Sequence, residues 1–201
     1  MNKITILTRS KEPFIREVPV GMSYLNYVST FTTASEINTN IRKALDLIET
    51  PYMAIVDSDD DIPGFFPEPQ KGVIYGDNRV RQNGIIEIRK NPEFTTDEFY
   101  KNPFMFHKAI VNVAELKVVM DAIGPQLPHN FYSFHSYFVA ITLGAFYDPM
   151  FQPVWNKNPG SPWSKSDSGI MPGVKVIKAQ QGEYLKKIAR YKKEIGYVNE
   201  T

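Results

Sequence analysis

The sequence predicts an α/β fold: a mainly parallel sheet flanked by helices, with a C-terminal amphipathic basic helix. Three observations carry that expectation. Tyr52-Met53-Ala54-Ile55-Val56 is an apolar run of strand length that drives into Asp57-Ser58-Asp59-Asp60-Asp61. Runs of this kind read as buried strands. Just before it, Ile37, Ile41, Ala44, Leu45 and Ile48 recur at helical spacing, so helix and strand follow one another as in a parallel crossover unit. Near the end of the chain, Tyr184, Ile188, Tyr191 and Ile195 line one face of a lysine-rich segment, the pattern of an amphipathic helix.

Taken in order, Ile4–Leu7 is a first short strand, and Met22–Phe31 a second, rich in β-formers. Ala34–Glu49 is a helix that Ser35 or Asn38 caps and Pro51 ends. The strand into Asp57 follows at once. Lys71–Tyr75 is a further strand, ending at Gly76-Asp77-Asn78. Asn83-Gly84 has hairpin-turn chemistry, and Ile85–Ile88 is the returning strand. Asn112–Ile123 is a helix with a cap pair, Asn112 and Glu115, and a closing Gly124. Phe131–Leu143 is a third helix, ended by Gly144. Asn156–Gly173, rich in Gly, Pro and Ser, reads as a long loop that could close as a lid. Val174–Val198 is the basic helix. The expected organisation is a main domain over 1–173 and a helical tail over 174–201.

With 201 residues the chain is long enough for a sizeable core. Its net charge of +1 makes no global claim on nucleic acid or membrane, yet the sign is split. Residues 151–201 hold nine Lys/Arg against four Asp/Glu; the rest hold fourteen against eighteen. The tail is therefore expected to pack on the domain, to join two copies as a homo-oligomer, or to meet a polyanion. Absence of cysteine removes disulfides and thiolate metal sites and fits a reducing, cytoplasmic location. No apolar run is long enough for a transmembrane segment.

Four acids at one strand end repel one another unless a cation joins them. Oxygen-rich clusters suit hard ions such as Mg2+ or Mn2+, which share phosphate oxygens with a substrate. Ligands of open α/β sheets bind at the carboxyl ends of strands. The alternative is a solvated acidic turn before Pro63-Gly64.

The order of segments resembles the family 2 nucleotide-sugar glycosyltransferases. Asn40 and Ala44, then Tyr52 to Asp60, look like that family's helix, strand and acidic DxD signature. Val73-Ile74-Tyr75-Gly76-Asp77 with the Asn83-Gly84 turn looks like its next strand and hairpin. Asn102 to Lys108 resembles the stretch before the acceptor-side helix, and Pro153 to Ser161 the late segment beside the nucleotide. The resemblance implies a GT-A-like sheet, a nucleotide-sugar donor and a divalent metal, Mn2+ or Mg2+. It implies Asp59 as first metal ligand, Asp57 at the ribose or the metal, and Thr8, Arg9, Asn40 and Ser58 on the donor.

The chain departs from that pattern in three places. The stretch before Asp57 is short. Lys157 and Asn158 stand where the family has arginine and histidine. Tyr132-Ser133 stands where its catalytic acid pair falls. His135, His129 and Asp148 are then the candidate bases, His135 first, by the intrinsic pKa of imidazole. Trp155 and Trp163 could stack on a sugar or a base, or simply pack.

The expected activity is metal-dependent sugar transfer to a glycan or nucleic-acid acceptor. The rival is a non-catalytic donor-binding protein that has lost the base. A phosphoryl-transfer enzyme is the third reading; neither a threonine after the second aspartate nor a P-loop supports it. Removing the chain after Gly173 is expected to spare donor binding but to weaken acceptor use or oligomerisation.

Overall fold

The computed structural model describes residues 3–28, 34–70, 72–124, 132–156 and 167–198. Nine strands and five α-helices are described among them. β1 (Ile4–Ser10), β2 (Met22–Val28) and β3 (Tyr52–Ile55) run parallel. β4 (Val73–Tyr75) and β8 (Ala145–Tyr147) also pair in parallel. β7 (Ile110–Asn112) lies between β3 and β4, antiparallel to both. The main sheet thus has the order β2-β1-β3-β7-β4-β8, with five strands pointing one way and one the other. A small second sheet, β6-β5-β9, joins the hairpin β5 (Asn78–Gln82) and β6 (Ile85–Arg89) to β9 (Val154–Asn156).

Strand period two divides the core. Leu7, Met53, Ile55, Val73 and Val111 belong to the larger cluster, with residues of all five helices. These are α1 (Ala34–Leu45), α2 (Thr96–Lys101), α3 (Val113–Ile123), α4 (Tyr132–Leu143) and α5 (Asp167–Glu194). Ile4, Ile6, Ala54, Val56, Ile74 and Ile110 alternate to a smaller cluster, covered by the loop residues Val18, Ile62, Phe66 and Phe151. The observed class is therefore mixed α/β with a mostly parallel sheet and flanking helices.

Local signals acted where the sequence placed them. Asn83 and Gly84 have φ of 51° and 78°, the left-handed pair of a type I′ turn. The Asn112 side chain accepts the Glu115 N–H at 2.9 Å, capping α3. The reciprocal half of the box is absent: the Glu115 carboxylate instead accepts from Thr142 Oγ1 at 2.7 Å and from Lys192 Nζ. Gly76 is needed for close approach, because a Cβ there would collide with the carbonyl oxygens of Asp148 and Phe151.

Several boundaries moved. β2 is described to Val28; Phe31 lies outside the described residues. α1 ends at Leu45 instead of Glu49, through turn bonds from Asp46, Leu47 and Ile48 to Lys43, Ala44 and Leu45. The loop expected over Asn156–Gly173 is helical from Asp167 onward, and residues 157–166, with Trp163, lie outside the described residues. The expected domain boundary after 173 falls inside α5.

That helix is bound into the core. Val174, Ile177, Tyr184 and Ile188 sit in the larger cluster with exposures of 4%, 0%, 9% and 1%. The expectation that the segment after Gly173 can be removed with donor binding spared does not fit such packing. Two of the four residues expected to join copies, Tyr184 and Ile188, are already used within the chain. Ile188→Ala should cost about 2–5 kcal/mol of stability, from lost apolar transfer plus a cavity. Chemical denaturation checks it; a loss near zero would place the helix outside the cooperative core.

Candidate functional site

The acidic turn is held by the end of the β1–β3 ladder. Val56 N–H donates to Leu7 O at 3.0 Å and Ser58 N–H to Arg9 O at 3.2 Å, beyond the regular strand. Asp60 N–H then donates to Asp57 O at 3.0 Å and closes a turn. Arg16 straps it from outside, donating to the carbonyls of Asp57 (3.0 Å), Ser58 (3.2 Å) and Asp60 (3.0 Å). Like charges are thereby displayed on a stiff frame.

The repulsion among them is offset mainly by the chain's own cations. Arg9, at the end of β1, grips both oxygens of Asp57, from Nε at 2.7 Å and Nη2 at 2.9 Å. Burial by itself would raise the Asp57 carboxyl; Arg9, Lys108 and His107 outweigh it and hold the group below the usual carboxylate range. Asp60 is 6% exposed. Its Oδ2 contacts Lys108 Nζ and its Oδ1 accepts the Asn156 N–H at 2.6 Å. Asp61 pairs with Arg81 at 2.6 Å near solvent. Asp59 is exposed; its carbonyl accepts from Asn156 Nδ2 at 2.6 Å.

Three stretches far apart in sequence converge here. Lys108 follows the short 3-10 turn Pro103–Phe106 and has φ of 62°, a left-handed conformation uncommon for a side-chain-bearing residue. Its side chain is 3% exposed, and its ammonium also donates to Val154 O at 2.9 Å. Burial draws that ammonium down from its ordinary range, against the pull of Asp57 and Asp59. Trp155 stacks on Phe104 with ring centroids 5.9 Å apart and tilts against His107 at 5.6 Å. Burial pushes His107 down to about 4, opposed by Asp57, so its imidazole is neutral at pH 7.

The structure brings Arg9, Asp57, Ser58 and Asp59 together. Thr8 is adjacent but wholly buried, and its Oγ1 finds no partner among the described residues. Asn40 lies on α1, where its Oδ1 accepts from Tyr27 Oη at 3.4 Å. His135 lies on α4 with 0% exposure, inside the core. A general base must reach the hydroxyl it deprotonates, and this ring is sealed from solvent. His129 lies outside the described residues. Asp148 caps a turn, accepting from Met150 N–H at 2.8 Å, and lines a cleft of about 360 Å3 over β4 and β8 together with Glu68, Glu93 and Phe146.

Burial pushes His135 down to about 4 from its ordinary 6.5. The unfolded chain therefore binds a proton that the folded one refuses between those values. Stability from this group is full above pH 6.5 and is lost as pH falls toward 4, by about 3 kcal/mol. Urea unfolding at pH 7 and 4.5 should show a smaller loss for His135→Leu than for the parent chain. Equal losses would mean that the imidazole reaches solvent.

No group of three His, Cys, Asp or Glu poised for a metal is formed among the described residues. Asp59, exposed at the tip of the turn, is the carboxylate that the sequence resemblance names first for an ion. A magnesium-like ion held by one carboxylate, water and phosphate oxygens is compatible with that donor set. Sequence reasoning named the acids and missed their partners Arg16, Arg81 and Lys108, whose charges are visible in the sequence but whose pairing is not. Among the described residues, no helix is long and apolar enough to cross a membrane. Compared with known proteins, the chain matches no family model and no curated protein.

Proposed function

We propose that this protein is a GT-A-like glycosyltransferase that moves a sugar from a nucleoside diphosphate donor with the help of Mn2+ or Mg2+. The observation that carries the reading is convergence. The Tyr52–Asp60, Asn102–Lys108 and Pro153–Ser161 stretches, picked out separately by their resemblance to one family and the last of them described to Asn156, meet through Asp60, Lys108 and Asn156. The acids lie at the end of a central strand, where sheets of this type bind ligands.

The leaving diphosphate needs charge neutralisation, which a bound divalent ion supplies as a Lewis acid and template. Asp59 would hold that ion. Arg9 fixes Asp57 for the ribose, and Arg16 keeps the turn from relaxing. Arg79 on β5 has a buried Nε–H with no partner among the described residues and would add positive charge beside Val154. The acceptor would be an anionic polymer, a glycan or nucleic acid. Lys175, Lys178, Lys186, Lys187, Arg190 and Lys193 are exposed along α5, whereas Lys192 is taken by Glu115.

A second reading, a donor-binding protein without transferase activity, is favoured by one observation. The positions expected to supply the catalytic acid hold Tyr132 and Ser133, and His135 is buried. A thermal-shift screen of nucleoside diphosphate sugars, with and without Mn2+, tests both. A ligand at about 100 times its Kd stabilises by about 2.7 kcal/mol, or about 5–10 °C at this size. Slow hydrolysis of the stabilising sugar marks an enzyme, and stabilisation without turnover marks a binder. No metal-dependent shift with any donor defeats both.

A further inference from the structure

β6 is an edge strand: among the described residues no strand pairs with its outer side. All five of its residues are exposed, including Ile85, Ile86 and Ile88 at 72%, 43% and 51%. Soluble proteins blunt such edges or use them. The two-residue turn makes Gln82 and Ile85 the first pair of the ladder, followed by Val80 with Glu87 and Asn78 with Arg89. In an antiparallel ladder closed this way, alternate residues share both hydrogen bonds with the partner strand. Ile85, Glu87 and Arg89 therefore direct their backbone groups toward β5. Ile86 and Ile88 direct theirs outward, to the open edge.

We propose that β6 is a self-association edge, pairing antiparallel with β6 of a second copy about a two-fold axis through Ile88. Self-complementary charge selects both the occupant and the register. With Ile88 opposite Ile88 of the other copy, Glu87 of each chain faces Arg89 of the other, giving two opposite-charge pairs. The outward backbone groups of Ile88 meet as a hydrogen-bonded pair, and those of Ile86 meet Lys90. A register centred on Glu87 sets two carboxylates against each other, which is destabilising. One centred on Ile86 leaves Glu87 opposite Ile85. On one face of the joined ribbon, Ile86 and Ile88 of both copies form a continuous apolar row. The product is a six-stranded sheet, β9-β5-β6 from each chain. Since β5 and β9 carry Arg81 and Asn156 to the acidic turn, pairing would also stiffen that turn. The inference does not depend on the glycosyltransferase reading.

The chain has no cysteine, so single-cysteine cross-linking reads the register cleanly. Directly opposed hydrogen-bonded residues lie about 5.5 Å apart between Cα atoms, within disulfide reach. Sedimentation of the full chain should show a dimer, and Ile88→Cys should oxidise to a covalent dimer while Ile85→Cys does not. Glu87→Arg should weaken dimerisation by about tenfold, by setting arginine against Arg89 at two places. The double swap Glu87→Arg with Arg89→Glu should restore it, which a merely misfolded hairpin would not do. A chain monomeric at all concentrations, or a double swap as weak as the single one, overturns the proposal.

Discussion

Asp60→Asn is expected to destabilise the protein by about 3–5 kcal/mol, the range for removing one partner of a buried ion pair. At this chain length that lowers Tm by roughly 6–20 °C. Both side chains of the Asp60–Lys108 pair are 3% exposed. Without the carboxylate, the Lys108 ammonium stays buried with Val154 O as its remaining hydrogen-bonding partner. The Asn156 N–H also loses an anionic acceptor, which loosens β9 against the turn. The charge, not the shape, is responsible, because asparagine nearly matches aspartate in volume. Asp60→Asn with Lys108→Met should therefore recover most of the loss, since replacing both partners of a buried pair is often neutral. Differential scanning calorimetry of the three proteins checks it. If the single variant melts with the parent chain, water reaches Lys108 and the pair is not a structural anchor.

That pair shows where sequence reading stops. The acids were legible because four of them follow a β-forming run, and strand period two puts Ala54 and Val56 on one side and Met53 and Ile55 on the other. The Asn83-Gly84 turn and the Asn112 cap were legible because each is set by chemistry within a few residues. Lys108 was not, because its partner is 48 positions away. β7, β8 and β9 were missed for a related reason: each has three residues, too few for a period to show. β7 reverses direction in the middle of the sheet, and what holds it there is pairing with β3 and β4, not its own propensity. α5 was read as a tail from its lysines. The apolar residues at Val174, Ile177, Tyr184 and Ile188 decide its place, and their destination is set by α3 and α4, which no local pattern reveals.

Asp59→Asn should do the reverse of Asp60→Asn: leave the fold and remove function. Asp59 is exposed at the tip of the turn, and its link to Asn156 runs through its own carbonyl, which the substitution keeps. Surface changes of this kind stay within about 0.5 kcal/mol of the parent. Its carboxylate is the one the proposed metal needs. A hard divalent ion bound through one protein carboxylate and the diphosphate loses its anionic protein ligand when that group becomes an amide. Metal-dependent affinity for a nucleoside diphosphate should then fall by about 100-fold or more, an interaction of about 2.7 kcal/mol. Titration calorimetry with a panel of nucleoside diphosphates, each with Mn2+ and with a chelator, measures it. Affinity in the chelator should be the same for both proteins, because Arg9, Arg16 and Arg79 are untouched. Asp61→Asn is the control, with an expected effect below about 1 kcal/mol for a pair open to solvent. Equal metal-dependent affinity in Asp59→Asn and parent would remove Asp59 from the site and leave the acidic turn a structural joint between β1, β3 and β9.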